Sequence, residues 1–185
     1  MAHDVLAAFY NILPVVLAGI LFIIVLKKKW LGVLKIPLDL DLRIRNESVF
    51  GRNKTWLGLG MMSFGTVFFT AVLSLTSHAR TVVPLYDVSV SNLMRAWLVG
   101  ACYSFGELPN SFIKRRLHIA PGEQANSPAQ RLVFKIFDTV DSVIAAGLAL
   151  FILYDLSLAT YMWILILGSG IHAGTDVLMR RISLK

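Results

Sequence analysis

Five apolar stretches separated by polar connections of very unequal length set the plan of this chain. They run over roughly residues 5–26, 56–76, 93–113, 137–154 and 158–179. Each approaches the ~20 residues that a helix needs to cross a hydrocarbon core. The pattern predicts an all-α, polytopic membrane protein of about five transmembrane helices, one domain over residues 1–185. Two long polar connections lie after the first and third stretches, whereas the fourth and fifth are joined through only Asp155–Ser157. Long connections in a small domain are commonly functional or disordered. The third stretch contains Pro109, which lacks an amide hydrogen and clashes with the carbonyl four residues back, so a kink or break is expected there. No basic segment precedes the first stretch and no small-residue cleavage site follows it. It therefore reads as a retained span and not as a signal peptide.

Composition supports this picture. The chain is 56% hydrophobic with a mean hydropathy of +0.68, too apolar for an ordinary soluble domain of this size. Charge then orients it. All the basic residues except Arg80 and Arg95 fall in the two long connections or in the tail that carries Arg180, Arg181 and Lys185. The positive-inside rule places those segments in the cytoplasm, the N-terminus outside and the C-terminus inside. The +7 net charge thus needs no nucleic acid; anionic lipid and phosphate substrates account for it equally well. Cys102 is the single cysteine, which removes a disulfide framework and a thiolate zinc site.

The chemistry sits beside the long connections. Asp138 and Asp141, three residues apart, share one face of a helix. A carboxylate at membrane depth costs at least ~2.5 kcal/mol on insertion scales, so such residues usually mark a site. With Ser111, Lys114, Arg115 and Arg116 closing the preceding stretch, the combination points to phosphate and Mg²⁺, which takes carboxylate oxygens together with substrate phosphates. The plain alternative is that Asp138 caps the helix and both acids complement its dipole. Gly51, Lys54 and Thr55 precede the second stretch, where backbone amides at a helix start can seat a phosphate. Their spacing is not that of a Walker A loop, and Thr55 as N-cap with Trp56 as a belt residue is the simpler account. Glu107 stands beside Pro109, either as a site acid or as an interfacial glutamate paired with Lys114 or Arg115. His172 and Asp176 lie four apart on one helical face, as a hydrogen-bonded pair or as part of a site.

Taken in order, Pro37-Leu38-Asp39, Gly51-x-x-Lys54-Thr55-Trp56-x-Gly58, Gly106-Glu107, Ser111-x-x-Lys114-Arg115-Arg116, Gly122, Asp138-x-x-Asp141 and His172 resemble the CDP-archaeol synthase family, relatives of phosphatidate cytidylyltransferases. The resemblance runs over nearly the whole chain. It implies a five-span enzyme of the plasma membrane, its site facing the cytoplasm, that transfers CMP from CTP to a membrane lipid phosphate and releases pyrophosphate with Mg²⁺. Carried over by residue, Gly51, Asn53, Lys54 and Thr55 line the nucleotide pocket. Ser111, Lys114, Arg115 and Arg116 hold phosphates, and Asp138 and Asp141 hold the metal. Glu107 stands where the family usually has aspartate and is expected as a further metal ligand. The implied partners are CTP, a lipid phosphate (archaeol-type or phosphatidic acid) and the bilayer, with a homodimer left open. Alternatives are a CTP-dependent lipid kinase, which would release CDP, or a non-catalytic transporter or assembly protein on the same scaffold.

Overall fold

A computed structural model describes residues 1–76 and 86–181, with the side chain of Arg180 excepted. Arg80 and Lys185, used above to orient the chain, lie outside the described residues. Among those described there are five long helices: α1 (Ala2–Lys27), α2 (Trp56–Leu73), α3 (Val90–Arg116), α4 (Pro128–Leu153) and α5 (Leu158–Arg181). The first long connection carries a short antiparallel hairpin, β1 (Arg43–Ile44) and β2 (Glu47–Ser48). Each helix packs extensively on the next, and α5 returns onto α1, so the five close into a ring.

Helices α1, α2, α4 and α5 are long and apolar enough to cross a membrane. The outward faces carry exposed Phe64, Phe68, Ile152 and Ile166, as expected of a polytopic membrane protein whose outer surface meets lipid and not water. Helix α3 is different. It has the length of a span, but Arg95, Glu107 and the run Lys114–Arg116 dilute its apolar character. Packed between α2 and α4, it carries the polar residues inside the ring.

Two sequence expectations change. Pro109 does not break the third helix, which is continuous from Val90 to Arg116. Packing against neighbours on both sides offsets the one lost backbone hydrogen bond. Nor does Asp138 begin a helix: α4 starts at Pro128 behind Ser127, with proline at the first turn, where its missing N–H costs nothing. Asp138 therefore lies well inside the helix and is no cap.

The apolar core fills the half of the ring remote from the long connections. Ala8, Ile12, Val15, Val99, Leu150 and Ile164 are buried together there. Tyr86, fully buried, donates its hydroxyl to the Tyr10 carbonyl at 2.7 Å. The opposite half, toward the long connections, is where polar side chains gather. Small residues bring its helices close. A Cβ added at Gly106 would lie 2.6 Å from Ala145 Cβ and 2.7 Å from the Asp141 carbonyl, so only glycine permits α3 and α4 to approach this tightly.

Candidate functional site

The first connection is folded by a single carboxylate. Asp39 is buried and accepts from the amides of Asp41 (3.2 Å), Phe50 (2.9 Å) and Gly51 (3.2 Å). Gly51 takes φ of +94°, a conformation open to glycine at little cost, and the chain then turns so that the Lys54 amide donates to the Gly51 carbonyl at 3.1 Å. A bridge between Pro37 and Thr55 closes the loop. Thr55 is the N-cap of α2, its Oγ1 accepting from the Gly58 amide at 3.1 Å, and Trp56 is exposed. Thr55 therefore caps α2 and also lines the cavity, and the same geometry delivers Lys54 to the interior of the ring.

There Lys54 meets Glu107 of α3 in an ion pair, both side chains about a quarter exposed. Glu107 thus pairs with a lysine from the first connection, and not with Lys114 or Arg115. Its other oxygen accepts from the Ser142 hydroxyl at 2.9 Å. The Ser142 amide and hydroxyl also reach Asp141 Oδ1, at 2.6 and 3.3 Å. On the far side of Asp141, the Asn110 amide group donates to Asp141 Oδ2 at 3.1 Å and to Asp138 Oδ1 at 2.7 Å. The Lys114 ammonium completes the row, donating to Asp138 Oδ1 and Oδ2 at 2.5 and 2.7 Å. One continuous network therefore runs Lys54–Glu107–Ser142–Asp141–Asn110–Asp138–Lys114 across the α3–α4 contact.

Within this network, Asn110 and Ser142 are the residues that the sequence did not point to. Asn110 stands one turn before Lys114 on the same helical face, a spacing that could have flagged it. Ser142 carried no signal, since a small hydroxyl in an apolar run is ordinary.

Among the described residues no three His, Cys, Asp or Glu side chains are grouped as a ready cation site. The three acids expected to share one metal are spread along the network, with Glu107 linked to Asp141 only through Ser142. Asp138 and Asp141, drawn together by one amide, nonetheless fit the donor chemistry of Mg²⁺. That ion prefers hard oxygen ligands, retains several waters and needs only one or two carboxylates beside a substrate phosphate.

A cavity of about 480 Å³ opens beside this network, inside the ring. Its wall toward the connections carries Lys35, Arg52, Asn53, Lys54, Thr55 and Gly122. Its depth is lined by apolar residues such as Ile12, Phe22, Leu150 and Ile164. Glu107 and His172 face it as well. His172 Nδ1 and the Tyr103 hydroxyl, 2.8 Å apart, share a hydrogen bond at the level where polar lining gives way to apolar. His172 is thereby oriented by a tyrosine of α3, a partner no spacing argument offered. Asp176, one turn further on, does not line the cavity. The volume lies in the ordinary range of small-molecule sites, about 300–1,000 Å³.

The remaining basic residues are distributed differently from the sequence expectation. Arg116 donates to the carbonyls of Ile44 (2.8 Å), Glu47 (3.2 Å) and Ser48 (2.7 Å), pinning the hairpin to the end of α3. Arg115 is buried, and its Nε and Nη1 have no hydrogen-bond partner. Ser111 is buried on the same helix. None of these three lines the cavity. Gly51 is set against the second connection, where an added Cβ would come within 2.9 Å of Pro121 Cγ; it shapes the entrance and does not line it.

A half-apolar chamber with a cationic rim, joined to a pair of carboxylates, suits a molecule with an oily part and a phosphate. No curated protein and no solved structure matches the chain. A family model described as CarS-like, CDP-archaeol synthase, matches residues 1–185, the whole chain, and the protein belongs to that family.

Proposed function

We propose that this protein is a CTP-dependent cytidylyltransferase acting on a membrane lipid phosphate, with its site open to the cytoplasm. The observation that carries the reading is the junction at Glu107, where a largely apolar cavity and the lysine–carboxylate network meet through one side chain.

The lipid places hydrocarbon in the apolar depth of the cavity and its phosphate at the rim, beside Lys54, Lys35 and Arg52. The CTP triphosphate lies along Lys114 and the acid pair. An oxygen of the lipid phosphate attacks the α-phosphorus of CTP. A new P–O–P linkage forms, the α–β bridge breaks, and pyrophosphate leaves with the bonding electron pair. The chain contributes mostly position and charge. Lys54 leaves Glu107 for the lipid phosphate and holds it in line. Lys114 leaves Asp138 for the triphosphate and offsets charge on the leaving group. Asn110 keeps Asp138 and Asp141 together, oxygens inward. When bound there, Mg²⁺ neutralises triphosphate charge.

The test uses purified protein in mixed micelles with Mg²⁺ and α-labelled CTP, given either phosphatidic acid or an archaeol-type ether lipid phosphate. Label in the lipid with stoichiometric pyrophosphate is expected, and the better substrate names the lipid class. Label reaching lipid only from γ-labelled CTP would make the protein a kinase. Folded protein that labels neither lipid would overturn the reading.

A further inference from the structure

The segment that follows α1 displays basic and apolar side chains together. Lys27, Lys28 and Lys29 are exposed at the end of the helix. Trp30 is 58% exposed and Val33 92%, and Leu31, Leu34 and Ile36 are about half exposed. The single 3₁₀ turn Gly32–Leu34 buries none of its residues. Lys29 and Leu31 hold φ of +56° and +57°, left-handed positions that non-glycine residues adopt at a cost. A strained segment is thus held with its apolar side chains outward. In water such a patch is a liability that calls for a partner.

Charge identifies that partner. Between Lys27 and Leu38 there is no acidic residue, and the first that follows, Asp39, is consumed by three backbone amides. Among the described residues no ion pair neutralises Lys27, Lys28, Lys29 or Lys35. The segment begins where a membrane-length helix ends, the depth at which tryptophan and lysine favour the head-group region. Leu26 and Lys35, at its two ends, both line the cavity.

We propose that residues 27–36 are a docking lip for the head-group layer of an anionic bilayer. Trp30, Leu31, Val33 and Leu34 enter the interface, and Lys27, Lys28 and Lys29 gather anionic lipids next to the cavity entrance. Lipid binding by this segment does not depend on the transfer reaction.

The test places the chain, with Trp56, Trp97 and Trp163 changed to Phe, in phosphatidylcholine nanodiscs containing an equal mole fraction of brominated phosphatidylglycerol or brominated phosphatidylcholine. Trp30 fluorescence should be quenched by both, and severalfold more by the anionic lipid. Lys27→Gln/Lys28→Gln/Lys29→Gln should remove that preference, since each lysine near an anionic surface contributes about a fivefold enrichment. High salt should weaken it in the parent. As a second measurement on the chain with all its tryptophans, native mass spectrometry should show phosphatidylglycerol adducts that the triple variant loses. An unquenched Trp30, equal quenching by the two lipids, or adducts unchanged in the triple variant would each overturn the proposal.

Discussion

The cavity and the carboxylate cluster meet at Glu107 and are built on opposite principles. The cavity holds a surplus of one charge. Lys35 has no counter-ion among the described residues, and Arg52 has only a loose, exposed contact with Asp41 at 3.6 Å. The cluster is nearly self-neutral: Lys114 sits on Asp138, Lys54 on Glu107, and Asn110 bridges the two aspartates. A surplus attracts an anion by diffusion and needs no rearrangement to bind it. A balanced cluster must exchange partners when substrate arrives. Half-buried ion pairs of this kind do little for stability once desolvation is counted, but they hold each group where its substrate partner will later stand.

Asp141 separates the two regions most decisively. Asp141→Asn keeps the shape but loses the charge and one of the two acceptor oxygens that Ser142 and Asn110 use, and turnover should fall more than about 100-fold with expression and detergent behaviour intact. Full activity, measured as CTP-dependent pyrophosphate release, would remove the cluster from the chemistry.

Lys54 tests the junction. Lys54→Met should lower kcat/KM for lipid phosphate by roughly 10–100-fold, the scale of losing one charged hydrogen bond of about 1.5–3 kcal/mol. KM for CTP should change less, because Lys54 belongs to the cavity rim. Its partner provides the complementary experiment: Glu107→Gln should raise the Mg²⁺ concentration needed for half-maximal rate. An unchanged Mg²⁺ titration would confine Glu107 to holding Lys54.

Gly19 probes the cavity without touching the cluster. It lines the chamber, and an added Cβ there meets nothing within 4 Å. Gly19→Leu should therefore fold and fill apolar space. It should reduce turnover of long-chain lipid phosphates severalfold while leaving a short-chain analogue unaffected. Equal loss on both would show that hydrocarbon does not occupy this space.

The smallest effect belongs to the loop that carries Lys54. Thr55→Val removes the cap of α2 and should cost about 1 kcal/mol, read as a lower Tm in detergent.

Much of the fold was legible along the chain, because a bilayer permits few solutions. Every backbone group must be satisfied internally, so long apolar runs become helices, and those over Ala2–Lys27, Trp56–Leu73 and Leu158–Arg181 appear where the hydropathy places them. The errors fell where polar residues interrupt the pattern. Proline at position 109 predicted a break, but helix–helix packing outweighs one missing hydrogen bond. The apolar pattern starts at residue 137, nine residues after α4 begins at Pro128, because the first turns carry Gln130, Arg131 and Lys135 and do not read as membrane. The site was legible as a set of residues and not as an arrangement. Lys54, Glu107, Asp138, Asp141 and Lys114 do converge, whereas Arg116 is used to hold the hairpin and Arg115 is buried away from the cavity.

The helical membrane architecture, the family resemblance and the candidate acids and lysines are all written in local composition and spacing. Which of those groups pair with one another follows from the packing of the helices. Lys54 lies far from Glu107 along the chain, Asn110 far from Asp141, and Tyr103 far from His172. Such contacts depend on how tightly α3 can approach α4 at Gly106 and on how Asp39 folds the loop that delivers Lys54. Those are properties of three-dimensional packing, which periodicity along one chain does not encode.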